Sequence, residues 1–267
     1  MLICSTWTLT TNETAVLPRA YGLELAKVLH QKMGMELGGE RIPSVAFAGL
    51  VGYAPPSQGF VRFYPGEFYQ LSLSGLQEKA AKAIASLCLE SVEFLGARFT
   101  VVNREDERSS YEQLYTNFVA NEPEPMRRFE LEFTTPTAFA QQRLYLPFPL
   151  PVLMFRSWLE RWNHFAPVYL GRDELIGYLS DYVMVQRHQI KTRSLQLQRG
   201  YVNGFVGDVR LQVLKGTDPL LANVASLLVH YGRFAGTGVK TRLGMGQMFL
   251  KCGYKAGKGR HPLSSPV

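Results

Sequence analysis

The chain opens on LICSTWTLT, a run of β-branched, aromatic and apolar residues that suits a strand. Leu17-Pro18 predicts the start of a helix, because proline tolerates the first turn. Leu23, Ala26, Leu29 and Met33 then recur at helical spacing, and Gly34 supplies an end. Residues 44–53, 59–64 and 68–73 read as strands, the last two turned at Pro65-Gly66. An alanine-rich amphipathic helix follows over 76–90, and a strand over 92–103. Strand, helix, strand, strand, helix, strand is the order of a ferredoxin-like unit. The charged stretch Asn103–Ser110 is expected to begin the crossing to a second half.

That half repeats the alternation without repeating the residues. FELEFTTPTAF (129–139) reads as a strand and leads to the proline-dense LYLPFPLP (144–151). A strong helix covers 151–165 and a shorter one 172–180. Alternating residues mark strands within 181–198 and 204–216. A last helix spans 218–235, a strand closes the pattern at 246–253, and the remaining tail is expected to be mobile.

Composition narrows the classes. With 267 residues, 46% hydrophobic and 19% charged, the chain can fill one large or two medium cores. No stretch approaches the roughly 20 apolar residues that span a bilayer. The first residues lack the basic and apolar regions of a signal peptide, so a cytoplasmic protein without membrane contact is expected. Cys4, Cys88 and Cys252 form no CxxC pair and read as buried thiols in a reducing compartment. The five histidines are dispersed, and no metal-ligating spacing is present. The net charge of +7 leans toward an anionic partner, nucleic acid or another, against a merely basic soluble protein.

The densest chemical signal is the run from Gly236 to Gly246, GTGVKTRLGMG, between a helix and the last strand. Gly236, Gly238, Gly244 and Gly246 permit close backbone approach to a ligand and positive φ angles. Lys240, Thr241 and Arg242 add two cations and a hydroxyl suited to phosphate oxygens. A Walker-type loop requires GxxxxGK[ST] between a strand and a helix, and here both spacing and context differ. The alternative is a glycine-bearing turn with incidental basic residues.

The stretch Phe234–Gly246, FAGTGVKTRLGMG, resembles the C-terminal signature of the CRISPR-associated repeat-processing endoribonucleases of the RAMP superfamily. In order along the chain, FTTPTAF at 133–139, the block at 144–167 and Gly204-Phe205-Val206-Gly207 fit the same pattern. The resemblance implies an α+β protein of two tandem ferredoxin-like (RRM-like) domains with a C-terminal glycine-rich loop. The domains would cover 1–125 and 126–255, with a tail at 256–267. The implied partner is CRISPR repeat RNA (pre-crRNA), bound by a monomer or homodimer, with other CRISPR effector subunits as further partners. The implied activity is metal-independent and cofactor-free cleavage by attack of a 2′-hydroxyl on the adjacent phosphate. Its products carry a 2′,3′-cyclic phosphate or 3′-phosphate and a 5′-hydroxyl. The alternative is a non-catalytic RNA-binding subunit of an effector complex.

Such a reaction requires a group that takes a proton near neutral pH and cations that stabilise the phosphorane. The family places its histidine in or just after the first helix, where this chain has only His30. On a helical wheel His30 falls at the half-exposed edge of the apolar stripe, three positions from Lys27, so the two can share one phosphate. Arg41, after the Gly38-Gly39 turn, is the candidate for charge stabilisation; Tyr21 and Lys32 are weaker options. Arg187, Lys191 and Arg193 alternate on one face of a strand and offer a basic strip for an RNA backbone, or a solvated edge that discourages strand pairing. His164 and Trp162 read as helix-packing residues, and His230 as structural.

Overall fold

A computed structural model describes residues 1–251. The first half contains β1 (Leu2–Thr10), β2 (Ala15–Pro18), α1 (Gly22–Lys32), β3 (Val45–Val51), β4 (Pro56–Ser57), β5 (Phe60–Phe63) and β6 (Tyr69–Gly75). It continues through α2 (Glu78–Ser86), β7 (Ser91–Phe94), β8 (Ala97–Ser109) and a short α3 (Tyr111–Tyr115). The second contains β9 (Arg128–Thr137), β10 (Phe139–Gln141), β11 (Leu144–Leu146), α4 (Pro151–Phe165) and α5 (Asp173–Tyr182). It closes with β12 (Val183–Gln196), β13 (Tyr201–Val213), α6 (Pro219–Ala235) and β14 (Met248–Lys251).

Both halves are ferredoxin-like. In the first, antiparallel strands lie in the order β3-β6-β1-β8, with β7 added at the edge as a hairpin partner of β8. In the second the order is β12-β13-β9-β14, again antiparallel throughout. Alternation drives each sheet to bury one face. Phe129, Leu131 and Phe133 of β9 pack with Trp158 and Trp162 of α4 and with Leu227, Leu228 and Tyr231 of α6. Trp7, Leu9, Leu71 and Phe99 form the first core with Leu25, Ala26 and Leu29 of α1. The halves meet where the Tyr111 hydroxyl donates to the Leu76 carbonyl at 2.9 Å and lies 3.3 Å from the Tyr231 hydroxyl. No helix among the described residues is long and apolar enough to cross a membrane.

Several expectations change. Pro18 does not start a helix: it ends β2, an outer strand that pairs with β5, where a residue without an N–H is tolerated. The first helix begins at Gly22. The second helix is shorter than expected, because the chain turns extended at Leu87. The strand at 92–103 is two strands joined at Leu95-Gly96, and the second runs through the charged stretch as far as Ser109. Its charges are satisfied locally: Arg104 pairs with Asp106 at 2.8 Å and donates to the carbonyls of Ile84 and Leu87 that end α2. Cys88 is exposed, because its neighbours Leu87 and Leu89 take the core positions, and Cys4 is half-buried. Cys252, the final residues of the last expected strand and the 256–267 tail lie outside the described residues.

Candidate functional site

His30 sits in the last turn of α1, where Leu25, Ala26, Leu29 and His30 form the buried face. Its relative exposure is 5%, so it lies within the apolar stripe and not on a half-exposed edge. The i to i+4 spacing brings its ring back onto the helix, and Nδ1 lies 2.9 Å from the Ala26 carbonyl. A carbonyl only accepts, so Nδ1 carries the proton and Nε2 of the neutral ring holds the free lone pair. Nε2 has no partner among the described residues, and the fully enclosed unpaired side-chain atoms there are Trp7 Nε1 and Thr217 Oγ1. Nε2 is therefore a bare acceptor. Burial pulls the His30 pKa below its ordinary value, with the bond to Ala26 and the Glu40 carboxylate opposing and Arg242 reinforcing that direction. The ring is neutral at neutral pH.

Lys27 points elsewhere. Its ammonium pairs with Glu24 at 2.8 Å on the exposed side of the helix, and Glu24 also accepts from Gln198 at 3.4 Å. Lys27 is exposed and paired with Glu24 while His30, three residues on, is buried, and no contact among the described residues joins the two. Arg41 is exposed and has no acidic partner among the described residues. Its neighbour Glu40, which sequence reasoning missed, accepts from the Ser44 backbone and hydroxyl at 2.7 Å and so closes the turn into β3. The Glu40 carbonyl accepts from Arg242 at 3.4 Å. The end of α1, the turn into β3 and the glycine-rich loop thus converge, although 202 positions separate Glu40 from Arg242.

The loop itself is largely buried. Gly236 ends α6 with φ +68°, and Lys240, at φ +54°, enters a single 3-10 turn over Thr241–Leu243. Two glycines are required by the chain's own packing. A Cβ on Gly238 would lie 2.2 Å from the Ala138 carbonyl oxygen, and one on Gly246 would lie 2.1 Å from that of Thr237. Both also hold positive φ. The close backbone approach expected for a ligand is made to β9, β10 and the loop itself. Thr241 is buried at 2% exposure and turned toward Arg161, while Lys240 lies over the Tyr145 ring at 5.7 Å. Gly244 packs against Gly49 of β3, so the loop also joins the two halves.

Beside it runs a cleft of about 320 Å³ between the halves. Leu243 and Gly244 form one border, and Arg19, Tyr21, Thr134 and Arg193 line the rest. Burial pushes the Tyr21 hydroxyl up to about 12, the Leu50 carbonyl and Arg193 opposing. Arg187, Lys191 and Arg193 all stand exposed on β12 but in different company. Arg187 is opposite Arg210, which pairs with Glu130 at 2.6 Å, and Lys251 and Asp208 pair nearby at 2.7 Å. Lys191 and Arg193 are opposite Val206 and Gly204, and Arg193 reaches the cleft. His230 Nδ1 donates to the Ser226 carbonyl at 2.7 Å, and the ring stacks on Phe118 at 4.1 Å. Trp162 is fully buried, whereas His164 is exposed rather than packed, because it lies on the outer side of α4. Among the described residues no three His, Cys, Asp or Glu side chains gather as a metal site.

Residues 131–248 match the family of CRISPR-associated endoribonuclease Cas6. A Cas6 endoribonuclease of Streptococcus thermophilus is 30% identical over 134 residues, 50% of this chain and 54% of that protein. Its counterpart in Mycobacterium tuberculosis is 30% identical over 151 residues, 57% of this chain and 47% of that protein. The chain thus aligns with about half the length of these relatives. In fold the likeness is wider. A Cas6 product complex aligns over 94% of this chain and all of its own, with TM-score 0.70 at 23% identity. A Thermus thermophilus Cas6 aligns over 94% of this chain and 98% of its own, with TM-score 0.67 at 20% identity. A RAMP protein binding different RNA substrates aligns over 93% of this chain and 99% of its own, with TM-score 0.63 at 15% identity.

Proposed function

We propose that this chain, Cas6-like in sequence over residues 131–248 and in fold over almost its whole described length, is an endoribonuclease that cuts CRISPR repeat RNA. The observation that carries this reading is a neutral histidine with a free Nε2, placed beside the glycine-rich loop by the Glu40–Arg242 contact. His30 Nε2 takes the proton of the attacking 2′-hydroxyl. Arg242, with Arg41 next in sequence to the Glu40 whose carbonyl it contacts, stabilises charge on the phosphorane. Lys27 can contribute a cation only by leaving Glu24. The leaving 5′-oxygen takes a proton from water as its bond to phosphorus breaks, and the proton held on His30 returns to solvent, which gives a 2′,3′-cyclic phosphate and a 5′-hydroxyl without a metal ion.

RNA is held along a path of cations that begins at Lys191 and Arg193, passes the cleft and Arg19, and reaches Lys240 and Arg242. Gly236, Gly238, Gly244, Gly246 and Thr241 serve this path by shaping the loop. Arg187, beside paired acids, contributes least. The test is incubation of the protein with repeat RNA in EDTA and mapping of the product ends. Cleavage with cyclic phosphate and 5′-hydroxyl ends is expected. Binding without cleavage would instead favour a non-catalytic effector subunit, and loss of cutting on chelation would overturn the metal-free mechanism.

A further inference from the structure

Three residues of α4, Ser157, Trp158 and Arg161, face the glycine-rich loop. The spacing of four between Ser157 and Arg161 stacks them on one side of the helix. Arg161 donates through Nη1 to the Ser157 carbonyl at 2.9 Å and to its hydroxyl. Through Nη2 it donates to the Gly238 carbonyl at 2.7 Å, with Thr241 Oγ1 at 3.5 Å. The Gly238 N–H donates to the Ser157 hydroxyl at 2.8 Å, and Trp158 Nε1 donates to Thr237 Oγ1 at 3.0 Å.

The helix therefore grips Thr237 and Gly238 on one side of Lys240 and reaches toward Thr241 on the other. Between these grips Lys240 holds φ +54°, a conformation that a residue with a side chain adopts only when its surroundings impose it. No carboxylate pairs with Arg161 among the described residues; its bonds all go to neutral oxygens of the helix and the loop. Its forked donors are thus used to fix backbone rather than to neutralise an acid.

We propose that Arg161, oriented by Ser157, is a positioning residue that sets the left-handed conformation of Lys240 and so aims its ammonium at the RNA. It makes no contact with RNA itself. This rests on the reading of the chain as an RNA-cleaving protein whose loop holds the substrate.

The test is a double-mutant cycle on the full chain, Arg161→Met against Lys240→Ala, read as affinity for 2′-O-methylated repeat RNA, which lacks the nucleophile and cannot be cut. Arg161→Met should weaken binding on the order of tenfold, the scale of one charge-assisted hydrogen bond. That loss should vanish when Lys240 is already alanine. Arg161→Lys, with one donor group in place of a fork, should recover part of the affinity. If Arg161→Met does not fold, Ser157→Ala removes the acceptor of the Gly238 N–H and should give the same dependence on Lys240. Equal losses in both backgrounds would overturn the proposal, because Arg161 would then touch RNA directly or act only on overall stability. Absence of RNA binding by the unaltered protein would overturn the broader reading and this proposal together.

Discussion

The glycine-rich loop and strand β12 are both basic, and both are candidate RNA contacts, yet they are built in opposite ways. The loop is clamped between β9, β10, α4 and β3, and two of its glycines, Gly238 and Gly246, sit where a methyl group would strike a carbonyl oxygen. The cations of β12 stand on an exposed strand face and support nothing beneath them. The loop can therefore offer pre-positioned donors at the cost of tolerating no change in backbone. The strand can offer only charge, which salt screens.

The sharpest way to separate the two is to disturb each. Gly246→Ala or Gly238→Ala should destabilise the fold by about 3 kcal/mol or more, from overpacking combined with a positive φ. Thermal unfolding would read this as a fall in Tm or a failure to recover soluble protein. An unaltered Tm would mean that the loop yields and is less rigid than its packing implies. The double change Lys191→Ala with Arg193→Ala should leave Tm alone and weaken RNA binding. The slope of log affinity against log salt should fall by about one for each lost phosphate contact. Arg187→Ala should do less than either, because Glu130 and Asp208 already temper that end of the strand.

Acid should expose the buried histidines. Burial lowers the pKa of both His30 and His230 in the folded state. Below their ordinary value near 6.5 the unfolded chain therefore binds more protons than the folded one. Stability is fully present above that pH and is lost as pH falls toward the folded values. Urea midpoints measured from neutral to pH 5 should decline. His230→Phe, which keeps the stacking on Phe118 without the titrating group, should shallow the decline. The smallest effect belongs to Lys27→Ala: loss of an exposed pair with Glu24 should cost about 0.3–0.5 kcal/mol in stability. Cleavage should change far less than for His30→Ala.

Periodicity made much of this fold legible. The helix at 151–165 and the strand at the start of the chain lie where the spacing of apolar residues places them. It failed where tertiary partners overrode local signals. Pro18 ended a strand because β5 lay ready to pair with it, and Asn103–Ser109 stayed in the sheet because β1 and the end of α2 satisfied its charges. The position of His30 on its helix was visible, but not the side of the stripe that the core would take. The convergence of Glu40 and Arg161 on the glycine-rich loop was hidden, because it joins residues far apart in the chain whose types alone suggest ordinary surface charge.

The cutting chemistry rests on His30. Single-turnover cleavage of repeat RNA in EDTA at neutral pH should fall by a factor on the order of 10² to 10⁴ in His30→Ala, the range of a lost proton-transfer group, while affinity for uncleavable repeat RNA stays the same. Cleavage by His30→Ala at the unaltered rate would contradict the assignment of Nε2 as the base.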